Sequence, residues 1–275
     1  MSAPIDFEKM REQMRAEAAA KRAVASAAPS PADAAAAAAR AAALWPPSLP
    51  LTAAQRVGAD LVTSVHYVAD WVSGAGAEAL QQQLPVDDPG WAALTNRRLL
   101  NCGGVPHPSG MYGEALPEWF ASVSERLVTT GVFDTSSPPN QVLLNEYDVT
   151  ADGSGGGGIA PHNDGPLFDD SVAILTLGSP AVLHFWAINP ASPTTNGWAA
   201  VEGRSPVCSV LLEPRSLLVF SGAAYTDHLH GILPVATETL PPTICNLKYF
   251  DIKTMSFCCF STEKGQNFLM KNDDM

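Results

Sequence analysis

The chain has 275 residues, 46% hydrophobic and 16% charged, which is enough apolar material for one sizeable core with appendages. Its formal net charge of −12 excludes a protein that coats nucleic acid through a basic overall surface, so any such contact must be local. No apolar run approaches the ~18 residues of a membrane-spanning helix.

Residues 1–55 read as an Ala/Pro-rich extension, disordered or helical. Within it "DFEKMREQMRAEAAAKRAVA" is rich in strong helix formers, and "APSPADAAAAAARAAALWPPSLP" reads as a linker. Alanine methyl groups offer little apolar area, so residues 1–50 are not expected to pack on the core. Asp6, Glu8, Glu12 and Glu17 argue against an organellar transit peptide. Five cysteines, none in a CxxC pair, predict a reduced cytoplasmic or nuclear chain.

From residue 62, "VTSVHYVADWVS" has a strand-like pattern, and "GAEALQQQL" looks helical. "NRRLLNCGGVPHPSGM" reads as a loop. "LPEWFASVSERLVTTGVF" has apolar residues at helical spacing, with Gly131 as its C-cap. The chain then changes character. "NQVLLNEYDV", "SVAILTLG", "AVLHFWAI", "PVCSVLLEP", "SLLVFSG" and "TICNLKYFDI" are short apolar runs separated by turn residues, and "LEPRS" supplies a tight turn. Residues 56–255 are therefore expected to form one α+β domain: a double-stranded β-helix (jelly-roll) core with flanking N-terminal helices. Residues 256–275 read as an atypical tail.

In "IAPHNDGPLFDD", His162 and Asp164 alternate along an extended segment. Alternate residues share a face, about 6.5–7 Å apart along the backbone, and can converge on one metal ion. A third ligand must come from elsewhere. His230 follows the strand "SLLVF" and precedes Gly231; His228, two residues earlier, is its rival. A lone histidine is usually structural, and a His-x-Asp pair arises often by chance. Two histidines with one carboxylate, however, form the facial triad of non-haem Fe(II) oxygenases. His66, His107 and His184 carry no motif. A cupin, another jelly-roll metalloprotein, needs more clustered histidines than this chain has.

The ordered run "NEYDV…PHNDGPLF…VAILTLGSPAVLHFW…SVLLEPRSLLVFSGAAYTDHLHGI" resembles the AlkB family of Fe(II)/2-oxoglutarate-dependent dioxygenases, in particular its eukaryotic homologue 6 subfamily. The likeness covers about residues 62–233. It implies an enzyme in which His162, Asp164 and His230 hold Fe(II), while Asn145 and Tyr147 contact 2-oxoglutarate. Dioxygen is the second cosubstrate. The implied reaction couples decarboxylation of 2-oxoglutarate to succinate with hydroxylation of a C–H bond, often an N-methyl group lost as formaldehyde. DNA or RNA carrying alkylated bases is the implied partner, with Arg97, Arg98 and the segment to Met111 as a lid over the substrate. One departure matters. The family places an arginine for the distal 2-oxoglutarate carboxylate on a late core strand, and this chain has no arginine after Arg215. Lys248 or Lys253 on "TICNLKYFDI" is the expected substitute, with Arg204 and Arg215 as fallbacks. A lysine lacks the two-bond fork of arginine, so weak cosubstrate binding is expected. The competing reading is a catalytically impaired AlkB-fold binding protein.

Overall fold

The computed structural model describes residues 45, 51, 56–58, 62–105, 112–147, 156–165, 168–191, 196–235, 238–246 and 265–271. The chain divides into two compact units, Met1–Ala42 and Ala43–Met275, and all described residues lie in the second. The expected N-terminal helix, most of the linker, His107, Met111, Lys248 and Lys253 lie outside them.

In chain order the strands are β1 (Arg56–Val57), β2 (Val65–Val68), β3 (Ala92–Ala93), β4 (Arg98–Cys102), β5 (Gly104–Val105), β6 (Tyr112–Gly113) and β7 (Gln141–Tyr147). There follow β8 (Ile159–His162), β9 (Ser171–Leu177), β10 (Ala181–Ala187), β11 (Cys208–Leu212), β12 (Leu217–Ser221), β13 (His228–Ile232) and β14 (Gly265–Lys271). Among the described residues the α-helices are α1 (Gly74–Gln83), α2 (Ala121–Thr129) and the short α3 (Ala223–Thr226). An eight-stranded sheet runs β1-β2-β12-β9-β14-β7-β4-β3, and a four-stranded sheet runs β11-β10-β13-β8. Every ladder between these described strands is antiparallel. The two sheets form the expected jelly roll.

The alternation of each strand divides its side chains between two cores. On the inner face Ile174, Leu218 and Phe220 of the large sheet meet Leu183, Phe185 and Leu212 of the small one. The Phe185 and Phe220 rings meet edge to face, 5.4 Å between centroids. On the outer face Leu144, Leu175 and Val219 are covered by Leu80 of α1 and Val123 and Leu127 of α2. Central strands are thus buried on both faces, which is why β9 reads as an almost unbroken apolar run. Ser73 caps α1 by accepting the Gly76 N–H, and Gly131 ends α2 at φ 78°, the left-handed conformation that glycine adopts without strain.

Three expectations are corrected. Residues before 51 are not all apart from the core: the Trp45 ring meets Trp71 edge to face at 4.8 Å. One tryptophan supplies the apolar area that the alanines lack. The segment read as a loop before Gly103 is strand β4, which pairs with β7 and buries Leu100. Finally, the fold does not end near residue 255. Strand β14 lies between β9 and β7 and supplies ladder partners to both. Among its described residues "TICNLKYFDI" forms no strand: Ile244 bridges to Ser209, and the buried Asn246 side chain accepts from and donates to the Leu211 backbone.

Candidate metal centre

Strands β8 and β13 pair so that His162 stands directly opposite His230. Between that pair and Ile159–Ile232 the register shifts, so β8 bulges at Ala160–Pro161. Proline has no N–H to give a ladder, and a bulge is where one is tolerated. The close approach of the strands requires Gly231: a Cβ there would lie 2.8 Å from the Ile159 carbonyl oxygen and 3.0 Å from the Pro161 nitrogen. The His162 and His230 rings consequently sit 4.2 Å apart between centroids.

The chain leaves β8 at once, and Asp164 turns back onto the two rings. Its carboxylate lies 3.5 Å from His162 Nε2 and 3.4 Å from His230 Nε2. One donor atom from each of His162, Asp164 and His230 falls within 4.8 Å of the others, the only such metal-capable group among the described residues. Metal–ligand bonds of about 2.1 Å at right angles put neighbouring donors about 3.0 Å apart, so the three need little movement to share an ion. The tautomer fits as well. His162 Nδ1 lies 2.8 Å from the Ala160 carbonyl and must carry the proton to bond it, which leaves Nε2 with a lone pair facing Asp164.

Asn163 escaped the sequence reading. Its Oδ1 accepts the Gly165 N–H at 2.9 Å, and its Nδ2 donates to the Tyr225 carbonyl. Tyr225 in turn donates its hydroxyl to the Phe168 carbonyl. Asn163 thereby shapes the turn that presents Asp164; the Asn-Asp-Gly order is its sequence signal.

His228 does not compete for the ion. Its Nδ1 lies 2.8 Å from the Ala223 carbonyl, tying β13 to α3. His184 faces away from the centre, its Nδ1 2.9 Å from Ser209 Oγ and its Nε2 2.8 Å from Glu238.

A cavity that is partly open to solvent lies beside the two histidines. Asn145 and Tyr147 of β7 line it, with Ile174, Leu183, Leu212 and Ile232. Its described lining holds no lysine or arginine. On β14, Gly265 and Asn267 stand in register with Tyr147 and Asn145, and neither is a cation. Arg204 donates to the Ala200 and Ala187 carbonyls, and Arg215 pairs with Asp70 at the surface, so neither fallback reaches the cavity.

The two candidate lid residues separate. Arg98 is committed to the fold: Nε and Nη2 donate to both oxygens of the buried Glu146 at 2.8 and 2.9 Å, and Nη1 donates to Val86 O. Its guanidinium lies over the Trp91 ring at 4.3 Å. That corrects the expectation that Arg98 covers substrate. Arg97, at the tip of the β3–β4 hairpin, instead donates Nε–H to Asn145 Oδ1 at 2.9 Å.

The chain is 35% identical to a probable RNA/DNA demethylase, ALKBH6 of Danio rerio, over 67% of this chain and 75% of that protein. It is 31% identical to the tRNA (carboxymethyluridine(34)-5-O)-methyltransferase ALKBH8 of Mus musculus over 49% of this chain but only 16% of that protein. Among solved structures, that of OsALKBH1 superposes with a TM-score of 0.45 at 14% identity, covering 76% of this chain and 97% of the other. No family model matches the chain.

Proposed function

Because this chain belongs to the AlkB family of Fe(II)/2-oxoglutarate-dependent dioxygenases, we propose that it oxidatively demethylates N-alkylated bases in DNA or RNA. His162, Asp164 and His230 would hold the Fe(II), which supplies oxidation of an otherwise inert C–H bond by dioxygen with 2-oxoglutarate as reductant. Asn145 and Tyr147 would meet 2-oxoglutarate in the adjoining cavity. The observation that carries this reading is the convergence of two imidazoles and one carboxylate at the wall of that cavity.

The protein's own residues do three things here. The paired strands set the two imidazoles side by side, and the Ala160 carbonyl holds His162 in the tautomer that ligates through Nε2. Phe220, with its ring 4.9 Å from that of His230, and Phe185, at 6.3 Å, shield the centre from the core side. Ile174, Leu183, Leu212 and Ile232 give the cavity apolar walls. A paired base must first leave its stack to reach such a centre, so a single-stranded or flipped nucleotide is the form it would accept.

The test is succinate release from 2-oxoglutarate, with mass spectrometry of methylated nucleosides before and after incubation with Fe(II). Asp164→Ala should abolish both while leaving the circular dichroism spectrum unchanged. Turnover by Asp164→Ala at the parent rate would end the assignment. The absence of a cation at the β14 positions in register with Asn145 and Tyr147 supports a second reading, a family member that binds substrate with little turnover. Substrate binding without succinate release would favour it.

A further inference from the structure

We propose that Arg97 is a positioning residue: it holds the Asn145 amide with Nδ2 turned into the cavity, making Asn145 an N–H donor to an anionic oxygen of the ligand. This rests on reading the cavity as the 2-oxoglutarate site. A guanidinium has N–H donors and no acceptor, so the Asn145 atom facing Arg97 Nε, 2.9 Å away, is the oxygen. The amide's other end is then its NH₂. Asn145 is only 6% exposed and lines the cavity, and among the described residues no acceptor meets Nδ2. A carboxylate in the cavity would accept from that N–H.

Arg97 is itself held in place. The Leu94 N–H donates to the Arg97 carbonyl at 2.8 Å, closing the β3–β4 turn. The Gly158 N–H donates to the Asn96 carbonyl at 3.2 Å, seating the same turn against the start of β8. Gly157 is needed at this junction, because a Cβ there would lie 2.5 Å from Tyr147 Cβ and 3.0 Å from the Asn96 oxygen. The hairpin that carries Arg97 is thus tied to the strand that carries His162. Without Arg97, the amide can rotate and offer its oxygen to the ligand as readily as its N–H, and an oxygen repels a carboxylate.

The experiment is calorimetric titration of the Mn(II)-loaded full chain with 2-oxoglutarate, which reads binding without turnover. Arg97→Ala should raise Kd about tenfold, as loss of a charge-assisted hydrogen bond does. Arg97→Lys, which can still donate to Oδ1, should recover part of that loss. Asn145→Ala should weaken binding too, and adding Arg97→Ala to it should change nothing more. Should Asn145→Ala fail to fold, Asn145→Ser takes its place. A further loss on adding Arg97→Ala would mean that Arg97 touches the ligand directly, and would overturn the proposal. So would a Kd unmoved by Arg97→Ala alone. A parent chain that binds Mn(II) but no 2-oxoglutarate would bring down the cosubstrate reading itself, and the proposal with it.

Discussion

Replacing Arg98 by alanine should unfold this protein more readily without touching its metal centre. The reason lies at Glu146, whose side chain is 2% exposed and whose two carboxylate oxygens both accept from Arg98. Removing the guanidinium leaves a carboxylate buried without its charge partner. Such truncations cost about 3–5 kcal/mol when both partners are fully buried. Arg98 is 29% exposed, so water will enter the vacated space, and about 2–3 kcal/mol is the better expectation. At about 2–4 °C per kcal/mol for a domain of this size, the midpoint of thermal unfolding should fall by about 4–12 °C. Part of the loss is the cation–π contact with Trp91. The double variant Arg98→Met with Glu146→Leu should recover much of the loss, since an apolar pair leaves no charge behind. Differential scanning calorimetry measures all three proteins. If Arg98→Ala melted with the parent while nucleic-acid affinity fell, Arg98 would be a substrate contact after all and the argument from Glu146 would be wrong.

Gly231→Ala should push β8 from β13, because the new Cβ meets backbone atoms, which cannot swing aside; a loss of about 1–3 kcal/mol and weaker Mn(II) binding are expected, and unchanged affinity would contradict the packing argument. Trp45→Ala should lower the unfolding midpoint by about 2–8 °C through loss of its contact with Trp71, whereas no change would return residues before 51 to the status of a loose extension. Among the described cysteines, Cys245 should be alkylated first. A hydrogen bond from the Cys208 thiol outweighs partial burial and pulls Cys245 down to about 7, so its thiolate forms as pH rises through neutrality. Burial, then Asp88 and Glu114, push Cys102 up to about 11 and keep it protonated there. Peptide mapping after iodoacetamide treatment across pH 6–9 reads both, and earlier labelling of Cys102 would refute the ordering.

The sequence by itself determined what depends on short range. The nearness of His162 and Asp164 is read from their separation of two residues, although a turn at Asn163, and not the extended segment expected, brings Asp164 round, and Gly131 ends a helix because glycine adopts positive φ without strain. The apolar runs announce strands, and their near-continuity announces burial on both faces. Position in three dimensions was another matter. His230 becomes a partner of His162 only through the register of β8 against β13. Nothing local distinguished it from His228, which the fold turns onto the Ala223 carbonyl. Arg97 and Arg98 are neighbours in a polar stretch that reads as a loop, yet one reaches Asn145 and the other Glu146, both 48 residues away. Strand β14 was illegible for a related reason. Its place is set by the ladder groups of β9 and β7, which are not adjacent to each other and each need a partner on that side. Hydrogen-bonding demand of that kind is a property of the assembled sheet, and no stretch of the chain carries it alone.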